Sequence, residues 1–234
     1  MLRKETINEP TLELLKKLMQ DERFRDFFLV GAAALALQIG HRISIDLDLF
    51  STSPFDKDQM LSDLENDYNF QLDYQHKNTL KGEIEGVKVD LVTHNYPLVK
   101  PLHLVEGIRM ASPSDIAAMI LNAISGNQTR LKDFVDVAYL SSILTLADMV
   151  NAYEEKYASR NPTMVVKALE YYQDINFDEN VEMLSGHYHW ENIKARLSQM
   201  TLYPHKLFGQ VPGVKKELEK VQKKDIDRNR GLRL

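Results

Sequence analysis

The 234-residue chain has no cysteine and a single tryptophan. Without thiols there are no disulfides, no thiolate metal sites and no cysteine nucleophile, so any chemistry falls to carboxylates and basic side chains. No apolar run approaches the ~20 residues that a membrane span needs. The opening segment Met1 to Thr6 lacks the apolar stretch of a signal peptide, and the expectation is a cytoplasmic protein with no membrane partner. Net positive charge is also missing: 29 Lys and Arg against 34 Asp and Glu leave −5, which argues against a globally basic nucleic-acid binder. The charge is uneven. Residues 215 to 234 carry eight basic and four acidic side chains, +4, which leaves −9 for the rest. Such a tail could hold an RNA backbone near an acidic site, or be a salt-bridged helix over Val214 to Lys224.

What is present in quantity is patterned apolar sequence, and one stretch of it carries acids. In Ile43-Ser44-Ile45-Asp46-Leu47-Asp48-Leu49-Phe50, strict alternation predicts a strand with apolar residues on one face and two carboxylates on the other. Two such acids stand ~6.6 Å apart along the backbone, close enough for both to turn onto the same cation. Without a cation they repel each other. A plain solvent-facing strand is the alternative.

Upstream, Phe27 to Val30 reads as a short strand, Gly31 breaks it, and Ala32 to Leu37 has helix-forming composition. A strand, a Gly turn and a helix N-terminus aim unpaired N–H groups beyond the turn, which suits the phosphates of a nucleotide. Downstream, Val87-Lys88-Val89-Asp90-Leu91 again places one acid between apolar neighbours. Three acids on adjacent strands beside a Gly turn would hold two magnesium ions and support in-line displacement at phosphorus.

These features, in this order, resemble the DNA polymerase beta type nucleotidyltransferase superfamily. More narrowly the chain resembles the AbiEii/AbiGii-type toxin family, through Val30 to Leu37, Gly40 to Phe50, Val87 to Leu91 and Arg130 to Asp136. The resemblance implies Gly31 and Ala32 at the phosphate loop, and Asp46 and Asp48 as magnesium ligands with Asp90 as the third acid. It places His41, Arg42 and Ser44 in the signature around the acid strand, and Lys132, Asp133 and Asp136 on a helical motif bordering the nucleotide site. The implied substrates are a nucleoside triphosphate and an acceptor such as the 3′ end of a transfer RNA or a protein side chain. A cognate antitoxin is the implied partner.

Two departures stand out. The family's loop usually adds a second Gly or a hydroxyl, whereas Gly31 is followed here by Ala32 and Ala33. A lysine common in the family's later helix aligns with Ile120, and an apolar residue cannot neutralise developing phosphate charge. With Ile120 there, Lys132 is the remaining cation for the triphosphate. Alternative readings are a nucleotide binder that has lost catalysis, or a small-molecule nucleotidyltransferase resembling those that modify aminoglycosides.

The coarse organisation is α+β, a mixed sheet with packed helices followed by a helical lobe. Leu12, Leu15 and Leu18 mark a leading helix; Asp56 to Asp67 reads as a helix, Phe70 to His76 as a strand, and Glu83 to Thr93 as two strands turning near Glu85-Gly86. Pro97 to Pro101 is the expected hinge between a core, residues 1–96, and a helical lobe, residues 97–234. Ser112-Pro113-Ser114-Asp115 signals a helix start. Leu131, Phe134, Val135 and Ala138 form an apolar stripe in the next helix that leaves Lys132 and Asp136 free to face a cleft or to pair at i, i+4. Further helices are expected near 145–158, 161–173 and 190–200. His187, His189 and His205, near Tyr188 and Trp190, read as a solvated helix start better than as metal ligands.

Overall fold

A computed structural model describes residues 1–126, 130–158 and 160–213. The leading helix α1 (Glu9–Gln20) is capped by the Asn8 side chain, which accepts from the Thr11 amide, and buries Leu12, Leu15 and Leu18. A mixed sheet follows: β1 (Phe28–Leu29), β2 (Leu47–Ser51), β3 (Gln71–His76), β4 (Thr79–Ile84), β5 (Val87–Thr93), β6 (His103–Val105) and β7 (Ile108–Met110), in the spatial order β3-β4-β5-β2-β1-β7-β6. β2 runs parallel to β5, and β1 parallel to β7, while the other neighbours are antiparallel. Leu29, Leu47, Leu49, Val89 and Leu91 are fully buried in its centre, each contributing about 1.5–3 kcal/mol by removal from water.

Between the strands lie α2 (Gly31–Ile39), closed by Gly40 in the left-handed conformation, and α3 (Lys57–Tyr68), capped by Asp56. After the sheet come α4 (Pro113–Ser125), α5 (Leu131–Leu140), α6 (Leu146–Lys156), α7 (Pro162–Ala168) and α8 (Trp190–Leu202). The helix starts follow the local chemistry: Ser112 caps α4 by accepting from the Asp115 amide, and Thr145 and Asp148 form a capping box at α6. α4 is the central helix, packed against α2, α5, α6 and α7.

Three differences from the sequence expectations have physical reasons. The acid strand is shorter than its alternation suggests. The Ile43 amide donates to the Glu182 carbonyl (2.8 Å) and the Ser44 amide to the Thr6 carbonyl (2.9 Å), so this stretch is held by loops, outside the sheet ladder, and Ile45 is 56% exposed. β6 and β7, lying beyond Pro101 where helices were expected, extend the sheet edge; three-residue strands are too short to show alternation.

The third concerns Pro97 to Pro101, which is pinned. The Val99 and Lys100 amides donate to Asp115 at 2.9 and 3.1 Å, and the Lys156 ammonium donates to the Pro97 carbonyl at 2.7 Å and to Asp115 at 3.0 Å. A buried carboxylate at the start of α4 and a buried lysine at the end of α6 thus lock the segment that composition alone presents as a hinge. The basic stretch 215–234 lies outside the described residues.

Candidate active site

The site begins where β1 meets α2. Gly31 opens the helix with φ +64°, and a Cβ there would lie 2.7 Å from Asp48 Oδ2. Any side chain would therefore be both strained and obstructed, and the bare backbone lets the N-terminus of α2 close on the carboxylate. The Val30 amide donates to the Asp48 carbonyl at 2.9 Å, fixing the depth of that approach.

Asp48 is the register partner of Asp90 across the parallel pair β2–β5, so the two side chains project from the same face of the sheet. Burial pushes the Asp48 carboxyl up to about 6, with the neighbouring charges of Asp90 and Asp46 adding to the shift and Lys81 and Arg130 opposing it. Asp46, two residues earlier, is exposed. The Asp90 carboxylate is held in an ion pair by Lys81, its cross-strand partner on β4.

Two cavities meet over Asp48. The first, about 440 Å³, is lined by Gly31, Ala32, Arg42, Ser44, Asp46, Asp48, Lys132, Asp133 and Asp136, with Ile120, Arg130, Glu179, Asn180 and Glu182 among the rest of its wall. The second, about 730 Å³, shares Gly31, Asp48, Ile120 and Arg130 and adds Phe50, Tyr74, Lys81, His94, Tyr157 and Arg160. Of the residues that the sequence motifs single out, Asp90, paired with Lys81, and His41, buried against Asp136, do not border the first cavity, and the others do.

The basic and acidic residues of α5 are arranged differently from the simple helical-face expectation. Asp136 is buried and accepts from Arg42 Nε at 2.6 Å and Nη2 at 2.8 Å, with His41 Nε2 at 2.7 Å. Burial alone would raise its pKa; the Arg42 guanidinium overrides this and holds the carboxyl well below the usual range. Lys132 is paired with Glu179 at 3.3 Å, so the i, i+4 pair with Asp136 does not form. Asp133 accepts two hydrogen bonds from Arg130, both at 3.0 Å, yet burial pushes it up to about 6.

The sequence reading passed over Arg130, Lys81, Glu179 and Glu182. Arg130 lay within the quoted α5 motif, two residues before Lys132, and geometry alone distinguishes them: Arg130 borders both cavities. Lys81 becomes visible only through the β4–β5 register. Glu179 and Glu182 come from a loop tied down by the bridge between Arg42 and Met183, a pairing with no periodic signature. In the third groove, lined by Phe177, His187, Tyr188, His189 and Trp190, His189 is the residue preceding α8, in keeping with a helix start.

Residues 13–71, which contain Gly31, Asp46 and Asp48, match the family model described as nucleotidyl transferase AbiEii toxin, Type IV TA system. This stretch is similar to an AbiEii-type nucleotidyltransferase domain. An uncharacterised protein of Aquifex aeolicus (strain VF5) is 29% identical to it over 190 residues, 78% of this chain and 89% of that protein. A candidate nucleotidyltransferase from H. pylori superposes with a TM-score of 0.51 at 17% identity, covering 92% of this chain and 98% of that one, and shares the fold. JHP933 from Helicobacter pylori gives a TM-score of 0.49 at 17% identity, with 96% and 99% covered. The AbiEii match ends before Asp90 and α5, so the far wall of the cleft is known from geometry alone.

The donor chemistry of the site fits a divalent cation in part. Asp48 and its neighbour Asp46 offer hard oxygen ligands beside a glycine that leaves room for them. Among the described residues no group of three or more His, Cys, Asp or Glu side chains is arranged to hold a metal, in keeping with the engagement of Asp90 by Lys81.

Proposed function

We propose that this nucleotidyltransferase moves a nucleoside monophosphate from a nucleoside triphosphate to an acceptor hydroxyl, with magnesium, as the toxin component of a toxin–antitoxin system. The observation that carries the reading is Asp48: a half-buried carboxylate beside two others, facing a helix N-terminus at the junction of two cavities. Such an anionic cluster is costly unless a cation arrives to balance it.

In this reading the triphosphate lies in the smaller cavity, with its phosphates toward the Gly31 turn and Lys132 and Arg130 contributing positive charge. The acceptor enters through the larger cavity, on the Lys81 side, where Asp90 orients its hydroxyl. Asp46 and Asp48 would hold magnesium, which would polarise the α-phosphate and neutralise the departing charge. The acceptor oxygen forms a bond to the α-phosphorus as the bond to the bridging oxygen breaks. Pyrophosphate leaves, and the hydroxyl proton passes to a carboxylate. Residues 1–96 supply the metal side and residues 97–234 the opposing wall, through α5 and Ile120. Candidate acceptors are RNA, including a transfer RNA 3′ end, and protein side chains.

Incubation with each α-labelled triphosphate, magnesium and, in parallel, total RNA, protein extract or hydroxylated small molecules tests this. Label on RNA or protein is expected. Label on small molecules alone would select the aminoglycoside-like alternative. A second reading, nucleotide binding without transfer, is favoured by Ile120, which lines both cavities where the resemblance places lysine; magnesium-dependent nucleotide binding with no labelled product would select it.

A further inference from the structure

The cleft contains a cation that the proposed chemistry does not use. Lys81 reaches from β4 to the Asp90 carboxylate directly across the strand pair, and its side chain, 45% exposed, also borders the larger cavity. Asp90 in turn is the neighbour of Asp48. The acidic cluster of Asp46, Asp48 and Asp90 therefore has one of its three negative charges already balanced by an internal ammonium. Arg130, which borders both cavities, is committed to Asp133 through two hydrogen bonds.

We infer that Lys81 is a resident counter-ion that occupies Asp90 and restricts the free protein to one divalent cation, held by Asp46 and Asp48. The inference rests on the metal-dependent reading above. A lysine ammonium and a divalent ion compete for the same carboxylate oxygens, and a positive charge so close to Asp90 repels any dication approaching it. The long stem of Lys81 gives it an exit: when a polyphosphate or an anionic acceptor enters the larger cavity, the ammonium can follow the new negative charge and release Asp90. A second cation then binds with substrate and not before. Lys81 acts through Asp90 and is a positioning residue in this scheme.

Calorimetric titration of the full chain with Mn2+ alone, without nucleotide, tests it. The wild type is expected to bind one ion. Lys81→Met, at a half-exposed position that accommodates an apolar chain, is expected to gain a second ion or to tighten binding by about tenfold, the effect of roughly 1.4 kcal/mol of relieved repulsion. Lys81→Arg, which keeps the charge, should behave as wild type. Asp90→Asn in the wild-type background should leave the single site intact, a check independent of how Lys81→Met folds. Two ions in the wild type, an unchanged profile in folded Lys81→Met, or loss of the single site in Asp90→Asn would overturn the inference. Absence of Mn2+ binding in every form would instead remove the metal-dependent reading, and this inference with it.

Discussion

Asp48 and Asp90 are direct partners across the parallel strands β2 and β5, and only Asp90 has a lysine against it. The asymmetry leaves Asp48 as the carboxylate that a cation would benefit most, and it sets the sign of the pH dependence. The folded-state pKa of Asp48, about 6, lies above the ordinary aspartate value of about 3.9, so the folded protein binds the proton more tightly than the unfolded chain. Stability is therefore greatest below pH 4 for this group and falls as pH rises through 4 to 6, by about 3 kcal/mol. Asp133, also raised to about 6, adds a change of the same sign. Thermal melts in chelator should show a decline over this window, with magnesium restoring stability at neutral pH. A melting temperature indifferent to magnesium at pH 8 would count against a cation at Asp48.

Asp48→Asn removes the half-buried charge while keeping the shape. It is expected to stabilise the metal-free protein at pH 8 by about 1–2 kcal/mol while abolishing nucleotide transfer, a trade typical of active-site carboxylates. Urea denaturation at pH 8 and at pH 5 checks the first half: the gain should shrink at the lower pH.

Gly31→Ala places a methyl group in a left-handed backbone and against Asp48 Oδ2. A loss of about 1–3 kcal/mol in denaturation is expected, together with weakened triphosphate binding, because the start of α2 must move away from the carboxylate. A variant with wild-type stability would show that the tight approach is dispensable.

Much of the cleft was legible in the sequence. The acids announced themselves because alternation in a strand exposes any charge set among apolar neighbours, and Gly31 because a strand-to-helix turn needs it. Arg42 and Asp136, 94 residues apart, were both flagged by the motif, but their bidentate pairing was not, since neither periodicity nor composition encodes which distant charges meet. Lys81 was invisible for the same reason: its meaning depends on register with Asp90. The pinning of Pro97 to Pro101 likewise depends on Asp115 and Lys156, two buried charges that in sequence look like ordinary surface residues of helices.

The Arg42–Asp136 pair is nearly inaccessible to water, with side-chain exposures of 5% and 2%. Asp136→Asn should cost about 3–5 kcal/mol, because it strands the guanidinium and leaves His41 with a poorer partner. The double variant Arg42→Met with Asp136→Leu should be less damaging than Asp136→Asn alone. Equilibrium denaturation of the wild type, Arg42→Met, Asp136→Leu and the double variant measures the coupling directly.

For the interior lock, Lys156→Met should leave Asp115 with amide and hydroxyl partners but without its counter-charge. Amide hydrogen exchange at Val99 and Lys100 should accelerate by at least about tenfold as local opening becomes easier, with smaller change in α5. Uniform acceleration everywhere would indicate global destabilisation instead.

The central claim, that Asp46 and Asp48 hold the cation against which a triphosphate reacts, is tested most directly by labelled nucleotide transfer from an α-labelled triphosphate in wild type and Asp46→Ala, with folding of the variant confirmed by its melt. The account predicts magnesium-dependent labelling of an acceptor by the wild type and its loss in Asp46→Ala. Labelling that persists in the folded Asp46→Ala variant would contradict it.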